Sequence, residues 1–277
     1  MGRSFGAASA ALLFPALAAL TPAAPDAPKP SDFVTVQKGT LPIIISAPHG
    51  GRKPVPELPL RVGTGLNNFQ TVRDENTAEL TEKLAAELEE ILDGKPWVVI
   101  ARFERKYLDA NRSSEQGYES DKAKPYYDAY HAPLEAACKA VREKHGRGLL
   151  LDIHGQALHP GAICRGTQNL KTVKLLRDRD GMAALRGKYS VLGRMEKHGY
   201  KVLPAADAEE GTKEEPQFNG GYIINHYGSH TAFAIDAIQL ELGSHLRAKD
   251  KSADTAKDLA DAVRVFYDVY LKDATKK

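Results

Sequence analysis

Three short apolar runs, IIISA at 43–47, VVIA at 98–101 and LLLDIHG at 149–155, alternate with two stretches of helical periodicity, which leaves the chain few architectures. Each run is rich in leucine or β-branched side chains and bounded by glycine, proline or polar residues, the signature of a strand buried on both faces. Between the first two, Leu80, Leu84, Leu88 and Ile91 recur at helical spacing before Gly94. Between the second and third, PYYDAYHAPLEAACKAVREKHG reads as a helix ending at Gly146. The order strand, helix, strand, helix, strand predicts a mostly parallel sheet with helices on its faces.

Flanking segments extend the pattern less regularly. DFVTVQKG predicts a strand broken from the next at Gly39, residues 179–198 a helix, YKVLPA a short strand and AIDAIQLELGS another buried strand. ADTAKDLADAVRVFYDVYLKD predicts a C-terminal helix, and the polar, glycine-rich residues 206–230 a loop region over the site. No internal repeat interrupts this series, so residues 33–274 are expected to form a single α/β domain.

With 38 basic against 36 acidic residues the formal charge is +2, which lacks the basic surplus of a nucleic-acid binder. The N-terminus has one early basic residue, Arg3, an apolar stretch from Phe5 to Leu20 and small residues at Thr21 and Ala23. This is signal-peptide anatomy, with cleavage expected after Ala23. Residues 24–32 then read as a proline-rich linker. The rival, an uncleaved anchor, is disfavoured because the stretch is shorter than the ~20 residues that cross a bilayer. An exported protein, periplasmic or extracellular, is expected rather than a cytoplasmic one, without stable membrane insertion once the segment is removed. Cys138 falls in a helical pattern and Cys164 in a loop, so two unpaired thiols are expected, although export would permit pairing.

Polar residues cluster where the strands end: His49 in SAPHGG, Asp109, Asn111 and Arg112 in YLDANR, Asp152 and His154 in LDIHGQ, and Glu241 in IQLELGS. Strand alternation points Asp152 and His154 to one side. In open α/β sheets ligands bind outside the carboxyl ends of strands, so four such ends would converge on one crevice. Two imidazoles with a carboxylate form the ligand set of a catalytic zinc site. The acid is chosen as Asp74 in VRDENTAEL, with Glu75 and Glu57 as rivals and a helix N-cap as its commoner role. Glu241, in an otherwise apolar strand, suits a general base with a raised pKa, and its structural alternative is a buried acid paired with Arg247. Arg112 offers a planar fork to a substrate carboxylate or an oxyanion. Arg102 and Arg105 are weaker candidates.

SAPHGG, RDENTAEL, ARFERKYLDANR, LLLDIHGQ and AIQLELG, in this order, resemble the N-formylglutamate amidohydrolase family, related in fold to the zinc carboxypeptidases. The resemblance spans roughly residues 40–247. It implies a mixed α/β sheet carrying one Zn2+ held by His49, an acid and His154, with Glu241 activating the attacking water. Asn111 and Arg112 match the pair that holds a substrate carboxylate in the carboxypeptidase relatives, and Arg105 is added as a substrate contact. The chain departs from the carboxypeptidase His-x-x-Glu pattern, because Arg52 stands three residues after His49.

The expected function is therefore zinc-dependent hydrolysis of an amide in a carboxylate-bearing small molecule or peptide, such as an N-acyl amino acid. An exported peptidase acting on peptide, cell-wall or γ-glutamyl substrates is the variant that export would favour. A metal-containing binding protein without turnover has no use for a base at Glu241, and a metal-free esterase lacks the Gly-x-Ser-x-Gly elbow.

Overall fold

The computed structural model describes residues 1–2, 28–209 and 211–272. Residues 3–23 of the expected signal segment and residues 24–27 of the expected linker lie outside the described residues. Seven strands form one mixed sheet: β1 (Val34–Gln37), β2 (Ile43–Ala47), β3 (Trp97–Ala101), β4 (Leu149–Gln156), β5 (Ala162–Gly166), β6 (Lys201–Leu203) and β7 (Asp236–Gly243). Their order is β1-β3-β2-β4-β7-β5-β6. The central strands β3, β2, β4 and β7 run parallel, as the buried apolar runs predict, while β1 joins β3 and β5 joins β7 antiparallel. Among the described residues no helix is long and apolar enough to cross a membrane.

The helices are α1 (Thr77–Ile91), α2 (Ser114–Gly117), α3 (Lys124–His145), α4 (Lys174–Asp180), α5 (Ala183–Arg186), α6 (Val191–Lys197), α7 (Tyr222–Tyr227) and α8 (Ser252–Phe266). Alternation in the strands sorts the core into two layers. Ile43 and Ile45 of β2, Leu149 and Leu151 of β4, and Ile238 and Leu240 of β7 pack with Leu80, Leu84 and Leu88 of α1 and with Leu259 and Val263 of α8. On the other face, Ile44, Leu150 and Ala237 pack with Tyr130, Leu134 and Val141 of α3 and with Ile223, Ile224 and Tyr227 of α7. α7 covers only part of the second face. Beyond it, toward the carboxyl ends of β4 and β7, the same rows turn polar.

Three expectations are corrected, the first being that residues 222–227 of the expected loop region form α7, whose Ile223, Ile224 and Tyr227 are buried. The helix expected over residues 179–198 is three short helices, because Gly181 closes α4 in a left-handed conformation (φ 71°) and Gly187 closes α5. At Gly187 a side chain would collide with the Ala183 carbonyl, 2.5 Å from an added Cβ. The loop expected around Cys164 is the strand β5, bonded to β7 on one side and β6 on the other. Its proline and glycine borders and its buried Arg165 disguised it; Arg165 is neutralised by Glu214 at 2.8 Å. Cys138 and Cys164 are buried free thiols.

Candidate metal centre and active-site cleft

Register builds the site. Ser46, Asp152 and Gln239 lie opposite one another on β2, β4 and β7, and the next row pairs His154 with Glu241. Because neighbours in register share a face, the apolar row of Leu150 is followed along β4 by Asp152 and then His154. His49 follows β2, and Asp74 comes from the loop before α1. One ligand atom from each of His49, Asp74 and His154 lies within 4.8 Å of the others, and all three residues are buried. No other group of three such residues suited to a metal occurs among the described residues.

Asp74 Oδ2 lies 3.1 Å from His154 Nδ1 and 3.4 Å from His49 Nδ1, and accepts the Gly155 N–H at 3.1 Å. Ligand atoms about 2.0–2.1 Å from a tetrahedral ion stand roughly 3.3 Å apart, so the two Asp74–imidazole separations match edges of such a site, and the imidazole–imidazole edge is no longer than 4.8 Å. The far nitrogens are held by carboxylates: His49 Nε2 by Asp109 at 2.6 Å and His154 Nε2 by Asp152 at 2.9 Å. This is how metal-binding imidazoles are oriented and made more basic. Ser46 donates to the other Asp152 oxygen at 2.6 Å. His49 Nδ1, in contrast, is buried with no hydrogen-bond partner, which is costly unless something else occupies it. The donor set and the orphaned nitrogen together fit a divalent metal.

Electrostatics agree. Burial alone would raise the Asp74 carboxyl, but the His154 hydrogen bond and the nearby His49 and His154 imidazoles hold it well below the usual carboxylate range. Asp109 is likewise depressed despite burial, by His49 and then Arg105. Glu241 goes the other way: burial pushes it up to about 7, with Asp74 adding to the rise and His154 and His49 opposing it. Among the described residues no Lys or Arg nitrogen lies within 4 Å of its carboxylate. Arg247 donates instead to the carbonyls of Leu242, Glu75 and Gln156, tying β7, the loop before α1 and the end of β4 together. Among the described residues the only side-chain hydrogen bond to Glu241 comes from Gln239 Nε2, at 2.8 Å.

The remaining sequence candidates divide. Glu75 is 71% exposed and paired with Arg73, and Glu57 is bonded to Tyr126, so neither reaches the His–Asp–His group. Asp74 does not cap α1 with its side chain; that position belongs to Asn76. Arg105 lines the cleft, but its guanidinium is engaged by Asp109 at 2.9 Å and faces Asp74 at 3.9 Å. Asn111 is buried, accepts the Ile223 N–H at 2.8 Å and points its amide nitrogen at His154 and Gln239, so it anchors the start of α7. Arg112 also lines the cleft, donates to the Asn68 carbonyl at 3.0 Å, and has no carboxylate within 4 Å among the described residues. Arg102 is turned away to Glu82 and Thr35.

Sequence reasoning gave Asp109 and Asp152 no role and missed Gln239. The signal for Gln239 is its place two residues before Glu241, on the same face of the strand. His49, Asp74, His154, Gln239 and Glu241 open into one cleft of about 1040 Å3 above the carboxyl ends of the central strands.

Residues 120–247 match the family described as N-formylglutamate amidohydrolase, so the resemblance carried by the motifs holds and supports an amidohydrolase. His154 and Glu241 lie within the match, whereas His49, Asp74, Asn111 and Arg112 precede it. No curated protein sequence matches the chain. Among solved structures, N-formylglutamate amidohydrolase from Ralstonia eutropha JMP134 is similar with a TM-score of 0.59 at 16% identity, over 85% of this chain and 98% of that one. A gene product from Agrobacterium tumefaciens gives a TM-score of 0.55 at 14% identity, over 85% of this chain and 95% of its own. At such identity these two likenesses concern the fold.

Proposed function

We propose that this N-formylglutamate amidohydrolase-like chain is a zinc-dependent enzyme that cleaves an amide in a carboxylate-bearing substrate. The observation that carries the reading is the register pairing of His154 with Glu241, which sets a base of raised pKa beside the His49–Asp74–His154 group. His49, Asp74 and His154 would hold the metal, which when bound supplies Lewis-acid polarisation of the amide carbonyl and acidifies water.

The chain's own residues do the rest. Glu241, aimed by Gln239, takes a proton from the attacking water and returns it to the leaving nitrogen. An affinity for protons near neutrality suits both halves of that transfer. Arg112, whose guanidinium has no carboxylate partner among the described residues, presents it to the substrate carboxylate and fixes the amide's orientation. Asp109 and Asp152 hold the two imidazoles in the tautomer that leaves Nδ1 free to ligate. The apolar Phe5–Leu20 stretch supports export, which brings peptides and N-acyl amino acids outside the cytoplasm within reach.

The test is Glu241→Gln on purified, metal-analysed protein screened with N-acyl amino acids. One zinc per chain should be retained and KM nearly unchanged, while kcat falls at least about a hundredfold. Full activity in the variant would refute the base assignment, and loss of the metal would make Glu241 a ligand.

A further inference from the structure

The cleft is larger and more divided than cleavage of a formyl group requires. Its volume of about 1040 Å3 reaches the top of the range, about 300–1,000 Å3, that encloses drug-sized ligands, whereas a formyl group adds one carbon and one oxygen to an amine. The sheet order decides how that volume is laid out. His49 directly follows β2 and His154 lies on the neighbouring β4, at the middle of the series β3-β2-β4-β7-β5. Arg105 and Arg112 enter from the segment after β3, on one side. Leu158 enters from the turn after β4, and Phe218 from a loop that closes over Gly166 of β5, on the other side. Strands are spaced about 4.8 Å apart, so β3 and β5 stand roughly 19 Å from each other. The His–Asp–His group therefore lies between one arm that carries Arg105 and Arg112 and another that carries the apolar side chains of Leu158 and Phe218.

The apolar arm is built rather than incidental. Leu158 is 57% exposed, so its side chain is open to a ligand in the cleft. Its turn is clamped by the buried Gln156, which accepts the His159 N–H at 2.7 Å and donates to the carbonyls of His159 at 2.8 Å and Ala162 at 3.3 Å. The turn also rests on Gly243, where an added Cβ would lie 2.2 Å from the Pro160 carbonyl oxygen. The Phe218 ring meets His159 edge to face at 6.3 Å, joining the two segments into one wall. A Gly166 side chain would collide with the Phe218 carbonyl at 2.6 Å, so the β5 glycine is what lets this loop descend.

We propose that Leu158 and Phe218 form an acyl subsite, and that the amide cleaved here carries an apolar acyl group larger than formyl. The substrate is then an N-acyl amino acid, its carboxylate toward Arg112 and its acyl chain along Leu158 and Phe218. The acyl chain comes from a fatty acid or an apolar aminoacyl residue. This rests on the hydrolase reading above for the direction of the substrate, but the subsite can be tested without turnover.

The experiment compares N-formyl-, N-hexanoyl- and L-leucyl-L-glutamate, by kcat/KM on the zinc-loaded enzyme and by calorimetric Kd on zinc-loaded Glu241→Gln. Each buried methylene contributes about a fourfold gain, so one or both larger substrates should exceed the formyl compound at least about tenfold. The stronger of the two identifies the source of the acyl chain. Leu158→Asp, at an exposed position, should lower the larger-to-formyl ratio about tenfold in both measurements. A merely structural role for Leu158 would not move that ratio. Equal or weaker binding of both larger substrates, or a ratio insensitive to Leu158→Asp, overturns the subsite. Leu158-dependent binding without turnover of any of the three would instead uphold the subsite and refute the hydrolase reading.

Discussion

Replacing Asp109 by asparagine probes how the proposed metal centre is held without touching a proposed ligand. Asp109 Oδ1 meets His49 Nε2 at 2.6 Å and accepts the Asn111 N–H at 2.9 Å, while Oδ2 accepts two Arg105 donors, both at 2.9 Å. An asparagine has one acceptor oxygen. Turned toward His49, it sets its NH2 against the Arg105 guanidinium; turned the other way, it donates to Nε2 and drives the proton to Nδ1, where a metal must bind. The expected cost in metal affinity is 10–100-fold, about 1.4–2.7 kcal/mol. A second cost is independent of metal. Arg61, buried and 4.0 Å from Asp109, and Arg105 lose their shared carboxylate, which should destabilise the metal-free chain by about 3 kcal/mol. Competition against a chromophoric zinc chelator reads the first quantity, and urea unfolding of metal-free protein the second. A zinc affinity within about threefold of the parent would refute the role given to Asp109, and an unchanged unfolding free energy would refute the buried ion network.

Asp74→Asn should weaken zinc binding by at least about a hundredfold, measured by the same competition, whereas exposed Glu75→Gln should leave both affinity and stability nearly unchanged. The reverse outcome transfers the ligand to Glu75. Burial lowers His131 to about 4, so the folded state stays neutral while the unfolded chain protonates near its ordinary ~6.5. The unfolded state then binds more protons between those values, so this stability is fully present above about pH 6.5 and lost as the pH falls to about 4, by at most about 3 kcal/mol. Urea midpoints followed across that window should fall less in His131→Gln, which removes the titration; an identical loss in both proteins would sink the assignment.

Short-range chemistry made much of this legible from the residues alone. An apolar run too short for a helix, ending in Asp and His, is stable only as a buried strand whose polar end has partners, and that reasoning located β2, β3, β4 and β7 and the polar groups at their carboxyl ends. Period-2 alternation likewise placed Asp152 and His154 on one face before any fold was known. The β5 strand was not legible, because its pairing with β6 and β7 is satisfied by segments distant in the chain, and its buried Arg165 needs Glu214 to be tolerated. Nor was the identity of the acid. Asp74 and Glu75 are adjacent and chemically alike, and what separates them is a backbone that turns one carboxylate toward His154 Nδ1 and the Gly155 N–H and leaves the other in solvent. Asn111 and Arg105 show the same division: a sequence displays which donors a chain owns, but only packing decides that the Asn111 amide holds Ile223 and the Arg105 guanidinium holds Asp109, leaving Arg112 to face the cleft. Hydrogen-bond donors are few and short in reach, so the partner a side chain takes depends on atoms that the fold brings within about 3 Å, and no local pattern encodes that distance.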